Sequence, residues 1–84
     1  MYRIEYSRQA IKALRRAPAP VSSAIREALV RLASDPDAAR NVRRLVGVGA
    51  YRLRVGDWRV VFDLDRDALL VIVIRIATRA EVHR

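Results

Sequence analysis

Cysteine is absent from the chain, and histidine occurs once, at His83. Without cysteine there is neither a disulfide framework nor a thiolate metal site, which fits a reducing cytoplasm. One histidine also makes a histidine-based metal site unfavourable. We therefore expect a cytoplasmic protein that needs no metal and no cofactor.

Long apolar runs are scarce as well. The longest run covers residues 68–74, far short of the roughly 20 residues that a membrane helix needs, and is typical of a buried strand. The first ten residues, MYRIEYSRQA, lack the apolar core of a signal peptide. The sequence thus predicts no membrane partner.

Acidic residues are few. Nine face 17 basic residues, of which 16 are arginine, and the net charge is +8. A GC-rich genome would explain arginine in place of lysine, but it would not explain the scarcity of acids. The 84 residues fit one small domain, residues 1–84. An excess of positive charge this large in so small a domain indicates an anionic partner such as nucleic acid or an acidic protein.

The first half of the chain has the pattern of one strand and two helices. Residues 2–6 alternate between apolar and charged, which predicts a half-buried strand. Ser7 is a suitable N-cap for a helix over Arg8–Arg16, and the APAP stretch ends that helix. A second helix is predicted from about Pro20 to Ser34.

Residues 37–45 are basic and lack a clear apolar period. We expect a short helical turn here that brings Arg40, Arg43 and Arg44 together as a basic surface. Gly47 and Gly49 then mark a loop.

The second half of the chain predicts three strands. Residues 51–55 and 58–64 flank Gly56-Asp57, a two-residue hairpin signal, and a third strand covers residues 69–76. The order β-α-α-β-β-β predicts an α+β fold, a small antiparallel sheet with two helices packed on one face.

The hairpin register places three arginines together. A two-residue turn sets Arg54 opposite Arg59 and Arg52 opposite Val61, so the three guanidiniums share one face of the sheet. Opposed like charges are destabilising. Either these side chains extend into solvent or pair with acids, of which only Asp63 is on that face, or they form a phosphate pocket. We favour the pocket.

The third strand and the tail border this face. Simple pairing sets Ile72 opposite Val61 and Ile74 opposite Arg59. If the chain bends after Ile76, then Arg79, His83 and Arg84 can return to the pocket. His83 either frays into solvent or transfers protons, since it alone titrates naturally near neutral pH. The parity of Trp58 places it in the core and not on a base-stacking surface.

The chain resembles the RelE/ParE superfamily of toxins from bacterial toxin–antitoxin systems. The resemblance rests on L-x-G at residues 45–47, YRLRVGDWRVVFDLD at residues 51–65, the apolar strand LLVIVIRI and the tail TRAEVHR. It covers essentially the whole chain and implies the same β-α-α-β-β-β fold.

The resemblance also implies an activity. RelE-like members cut mRNA in the ribosomal A site by making the 2′-OH attack the neighbouring phosphate. The matching catalytic positions here are Arg52, Arg54, Arg59, Arg79 and His83. Arg40, Arg43, Arg44 and Arg84 are further candidates for binding RNA phosphates.

Three positions differ from the usual pattern. Arg52 and Arg54 stand where members often carry lysine, and His83 stands where a tyrosine is common. Arginine is a poor general base because it stays protonated. Our hypothesis is that His83 transfers protons while the arginines bind and stabilise phosphate.

Two other functions stay open. ParE-like relatives share the fold but act on DNA gyrase, and a catalytically weak member would mainly bind an acidic antitoxin. The resemblance implies as partners a cognate antitoxin, the ribosome with its mRNA, and operator DNA through the antitoxin complex only.

Overall fold

The computed structural model describes residues 1–45, 47 and 49–82, and it confirms the predicted α+β class. Two long helices pack on one face of a five-stranded sheet. The elements follow in the order β1 (Arg3–Tyr6), α1 (Arg8–Arg16), α2 (Ala19–Ser34), a single 3-10 turn (Pro36–Ala38), β2 (Val42–Arg44), β3 (Tyr51–Val55), β4 (Trp58–Asp65), β5 (Leu70–Thr78) and α3 (Arg79–Val82).

The sheet has the strand order β1-β5-β4-β3-β2. Three of the four pairings are antiparallel, whereas β1 runs parallel to β5. The prediction of an antiparallel sheet is therefore right for β2 to β5 and wrong for β1. The parallel pairing places the first and last strands of the chain side by side.

Side-chain oxygens fix the two long helices. Ser7 caps α1, where its Oγ accepts the backbone N–H of Ala10 at 3.1 Å, as predicted. The hydroxyl of Ser22 in α2 donates to the carbonyl of Leu14 in α1 at 2.6 Å. This bond holds the two helices together close to the break between them.

The core lies between the helices and the sheet, on the face that the sequence predicted to be apolar. Phe62 is fully buried and stacks on Tyr51, with ring centroids 5.4 Å apart. Trp58 packs against the same core, as its parity predicted. Among the described residues the core comprises Ala10, Leu14, Ile25, Leu29, Leu32, Ala33, Leu53, Val60, Phe62, Val71, Val73 and Ile76.

The hairpin of β3 and β4 has the predicted register. Arg54 lies opposite Arg59, and Arg52 lies opposite Val61. Gly56 in the turn has a φ of +57°, which glycine adopts without steric strain.

The prediction of a helical turn over residues 37–45 is wrong. The helical turn ends at Ala38, and β2 then pairs with β3, where Arg43 lies opposite Arg52. Extended backbone is favoured here because it satisfies hydrogen bonds along the otherwise open edge of β3. Gly47 and Gly49, with φ of +82° and +65°, lie in the loop that returns the chain to β3.

A β-bulge interrupts the pairing of β4 with β5. Phe62 pairs with Val73 and Val61 pairs with Arg75, which leaves Ile74 without a partner in β4. The predicted pairings of Ile72 and Ile74 are therefore wrong. Because a bulge shifts the alternation by one residue, Arg75 lies on the same face as the arginines of β3 and β4.

Two side chains from the start of α1 satisfy the backbone of β5 beside this bulge. β1 pairs with β5 only as far as Val73. Beyond it, the hydroxyl of Ser7 donates to the carbonyl of Ile74. The side-chain amide of Gln9 donates to the carbonyl of Ile76 at 2.8 Å and accepts its N–H at 2.9 Å. Gln9 thus takes the place of a peptide group in a neighbouring strand.

Within the described residues, neither α1, α2 nor α3 has the length and apolar character to cross a membrane.

Candidate functional site

The arginines concentrate on the face of the sheet opposite the helices. Two pairs lie directly across from one another in neighbouring strands, Arg54 with Arg59 and Arg43 with Arg52. The sequence predicted the first pair, and the second pair results from β2. Directly opposed like charges lower the stability of a sheet, so the charge repulsion within these two pairs opposes folding.

These side chains surround an open cavity of about 540 Å³. No carboxylate lines this cavity in the part of the chain that the structure describes. This arginine cavity is lined by Arg40, Asn41, Val42, Arg43, Arg52, Arg54, Arg59 and Arg79.

The guanidinium of Arg59 is fixed by the hairpin turn. Its Nη1 donates to the carbonyls of Gly56 and Trp58, both at 3.0 Å. These two bonds use the two hydrogens of one nitrogen, and a guanidinium carries five. The donors on Nε and Nη2 are therefore held in a defined orientation, as an anion site requires.

Arg79 reaches the arginine cavity from the end of β5, which lies beside the hairpin turn. Its backbone N–H donates to the carbonyl of Asp57 in the hairpin turn at 2.9 Å. The sequence predicted a bend after Ile76, whereas the structure has the bulge at Ile74 and begins α3 at Arg79. The bulge changes the face on which the residues after it lie, and so it brings Arg79 to the cavity.

The other predicted phosphate-binding residues have different positions. Arg40 and Arg43 line the cavity. Arg44 pairs with Tyr51 and so shares the face of the helices, not that of Arg43. His83 and Arg84 lie outside the described residues.

Two residues near the site were missing from the sequence prediction. Asn41 contributes an amide to the cavity. Arg75 lies on the same face as the cavity arginines, and its Nη2 donates to the carbonyl of Glu81 at 3.5 Å. The sequence contains a signal for this position. The pattern that buries Val71 and Val73 would also bury Arg75, and a charge there indicates that the alternation is interrupted.

Asp37 and Asp63 do not line the arginine cavity. Between residues that the structure describes, the one ion pair joins Arg66 to Asp37, at 3.0 Å. The hydrogen bond to Asp37 and the negative charge of Asp37 raise the pKa of Arg66. Asp63, the acid that the sequence placed on the arginine face, accepts the N–H of Leu64 at 2.8 Å and does not line the cavity.

Metal ligands are not grouped in the described part of the chain, where no three His, Cys, Asp or Glu side chains come together. The charged groups that line the arginine cavity are guanidiniums, which bind phosphate oxygens through paired N–H donors.

The fold and the arginine cavity define a small basic α+β domain with an arginine-lined surface, and comparison with known proteins identifies its family. The family model for the ParE toxin of the type II toxin–antitoxin system parDE matches residues 4–83. The chain belongs to this family, within the RelE/ParE superfamily. No curated protein matches it.

Solved structures of RelE toxins have the same fold. The RelE–RelB complex from Pyrococcus horikoshii matches with a TM-score of 0.82 and 26% identity, over 93% of this chain and 94% of that one. RelBE2 from Mycobacterium tuberculosis matches with a TM-score of 0.80 and 22% identity, over 93% and 98%. The RelBE complex of E. coli matches with a TM-score of 0.78 and 23% identity, over 93% and 96%.

Proposed function

We propose that this toxin is a ribosome-dependent mRNA endoribonuclease of the RelE kind. The observation that carries the proposal is the arginine cavity, where guanidiniums from β2, β3, β4 and α3 converge with no carboxylate among the described lining residues. A phosphate would offset the repulsion between Arg54 and Arg59, which face each other across the hairpin. RNA supplies such a phosphate at every nucleotide.

The reaction that fits this cavity is attack of the RNA 2′-OH on the adjacent phosphorus. The bond to the 5′-oxygen breaks, which leaves a 2′,3′-cyclic phosphate and a free 5′-OH. The phosphate oxygens gain negative charge in the transition state, and preorganised cations stabilise that charge. Arg59 is suited to this role because its guanidinium is fixed by two carbonyls.

The reaction also needs a proton acceptor for the 2′-OH and a proton donor for the 5′-oxygen. Arginine does not lose its proton near neutral pH. Asn41, the amide in the lining, does not titrate there either. We therefore assign proton transfer to His83, which follows α3 directly in the sequence.

The test uses the purified chain with ribosomes and a defined mRNA. We expect cleavage that depends on ribosomes and leaves 5′-OH ends. Arg59→Ala should lower the rate roughly 10²- to 10³-fold, because a fixed transition-state donor is lost. Intact mRNA at high toxin concentration, with ribosomes present, would overturn the proposal.

His83→Gln separates binding from chemistry. We expect this variant to bind ribosomes like the parent chain and to cleave no mRNA, because glutamine carries no transferable proton near neutral pH. Ribosome co-sedimentation measures binding, and primer extension measures cleavage. Full cleavage by His83→Gln would end the assignment of His83.

A second candidate function follows from the family model, which describes a ParE toxin. The superfamily resemblance implies DNA gyrase as the target of ParE-like members. A supercoiling assay run beside the cleavage assay distinguishes the two targets: inhibition of supercoiling without mRNA cleavage favours gyrase. Loss of both activities favours a weak member that chiefly binds its antitoxin.

We also propose a cognate antitoxin as the partner in either case. The support comes from the matched complexes, in which RelE is bound to RelB. A net charge of +8 favours an acidic antitoxin segment.

A further inference from the structure

The junction between β5 and α3 contains a reciprocal pair of hydrogen bonds. The carboxylate Oε1 of Glu81 accepts the N–H of Thr78 at 3.1 Å and its hydroxyl at 2.7 Å. The N–H of Glu81 in turn donates to Oγ1 of Thr78 at 3.4 Å. This is the T-x-x-E capping box, which fixes the residue at which a helix begins.

Arg79 is the first residue inside this capping box. The box holds the backbone on both sides of Arg79, and the N–H of Arg79 itself donates to Asp57 in the hairpin turn at 2.9 Å. The same turn holds Arg59 through the carbonyl of Gly56. The backbone of Arg79 and the guanidinium of Arg59 are thus both held by this turn, at the end of the sheet where Trp58 pairs with Thr78.

We propose that Thr78 and Glu81 are positioning residues, which hold the guanidinium of Arg79 where the arginine cavity binds phosphate. The inference rests on the proposed function of that cavity. Neither residue lines the cavity, so a positioning effect of either one on phosphate passes through Arg79.

Charge alone predicts the opposite effect for Glu81. A carboxylate close to a basic cavity repels anions, so its removal would tighten phosphate binding if position did not matter. Positioning predicts that loss of the carboxylate weakens phosphate binding. The direction of the change therefore distinguishes the two effects.

Two matched pairs of variants isolate the capping box. Glu81→Ala and Glu81→Gln both remove the charge, but glutamine keeps an oxygen that can accept the bonds from Thr78. Thr78→Ala and Thr78→Ser both alter the side chain at unchanged charge, but serine keeps the hydroxyl. Arg79→Ala and the double variant Glu81→Ala/Arg79→Ala complete the set.

Phosphate affinity is measured from the rise in unfolding temperature with increasing inorganic phosphate. We expect Arg79→Ala to weaken the affinity roughly tenfold, because one charge-assisted contact is lost. Glu81→Ala and Thr78→Ala should weaken it several-fold, and Glu81→Gln and Thr78→Ser should restore it. Glu81→Ala should have no further effect once Arg79 is alanine.

A variant that loses one side-chain hydrogen bond outside the site controls for general destabilisation. Ser22→Ala removes the bond from Ser22 to Leu14 between the two long helices. It should lower the unfolding temperature and leave the phosphate affinity unchanged.

Three results would overturn the inference. Tighter phosphate binding by Glu81→Ala would show that charge dominates, and unchanged affinity in Thr78→Ala would show that the box does not position Arg79. Unchanged affinity in Arg79→Ala would remove Arg79 from the proposed phosphate site itself, together with the positioning role. RNA cleavage does not enter this measurement, so failure of the inference can be distinguished from failure of the proposed nuclease activity.

Discussion

The two faces of the hairpin use the same strands for opposite purposes. Val60 and Phe62 point towards the helices and are completely buried. Arg59, next to Val60 in the chain, lies opposite Arg54 on the other face. Burial of the first set stabilises the fold, whereas juxtaposition of the second set destabilises it. The sheet thus carries a face of opposed arginines at the expense of its own stability.

The largest expected effect comes from the helix-facing side. Phe62→Ala should lower the free energy of unfolding by about 3–5 kcal/mol, because it leaves a cavity where Phe62 stacks on Tyr51. Urea denaturation measures the loss, and Phe62→Leu, which keeps much of the volume, should lose less. A loss below about 1 kcal/mol for Phe62→Ala would contradict the burial of this ring.

The edge of the last strand should give the next largest effect. Gln9→Ala removes both bonds to Ile76, so we expect a loss of about 1–3 kcal/mol from the unpaired backbone groups. Gln9→Glu retains the acceptor but not the donor, so its free energy of unfolding should lie between those of Gln9→Ala and the parent chain. Hydrogen exchange at the Ile76 amide should accelerate in Gln9→Ala, and unchanged exchange there would contradict the role of Gln9.

The arginine face should respond in the opposite direction. Arg54→Gln should raise the free energy of unfolding by about 0.2–1 kcal/mol, because the repulsion from Arg59 is relieved. The same variant should gain less stability from added phosphate than the parent chain. Lower stability of Arg54→Gln in phosphate-free buffer would contradict a destabilising repulsion between Arg54 and Arg59.

The smallest effect concerns a phenol on the helix-facing side. Burial raises the pKa of Tyr6 above its ordinary value of 10.0, and the charge of Arg26 partly opposes this. The unfolded chain therefore loses the phenol proton at lower pH than the folded chain does. This contribution to stability is present below about pH 10 and is lost as the pH rises through the folded pKa.

Tyr6→Phe tests that direction. Phenylalanine has no proton to lose, so its stability should fall less than that of the parent chain between about pH 9 and pH 11. Urea denaturation at both values measures the two slopes. A steeper fall for Tyr6→Phe would show that the sign is wrong.

Much of the fold was predictable because local signals were strong. The two-residue turn at Gly56-Asp57 fixed the register of the hairpin, and alternation then assigned each side chain to a face. The same reasoning placed Arg52, Arg54 and Arg59 together. Their roles in catalysis stay predictions.

The errors in the second half of the chain occurred where local signals are weak. Three residues in β2 are too few to show a period, and no two-residue turn signal of the Gly56-Asp57 kind joins β2 to β3. The bulge at Ile74 has no glycine or proline to mark it. Arg79 was therefore expected at the cavity only through a bend that the sequence did not establish.

The amide of Gln9 also bears on self-association. A strand edge with free N–H and C=O groups is a template on which a second chain can add a strand. β1 covers only the first part of β5, and Ser7 and Gln9 bond to the backbone just beyond it. The start of α1 thereby blocks intermolecular β-pairing along the part of β5 that lies just beyond the end of β1.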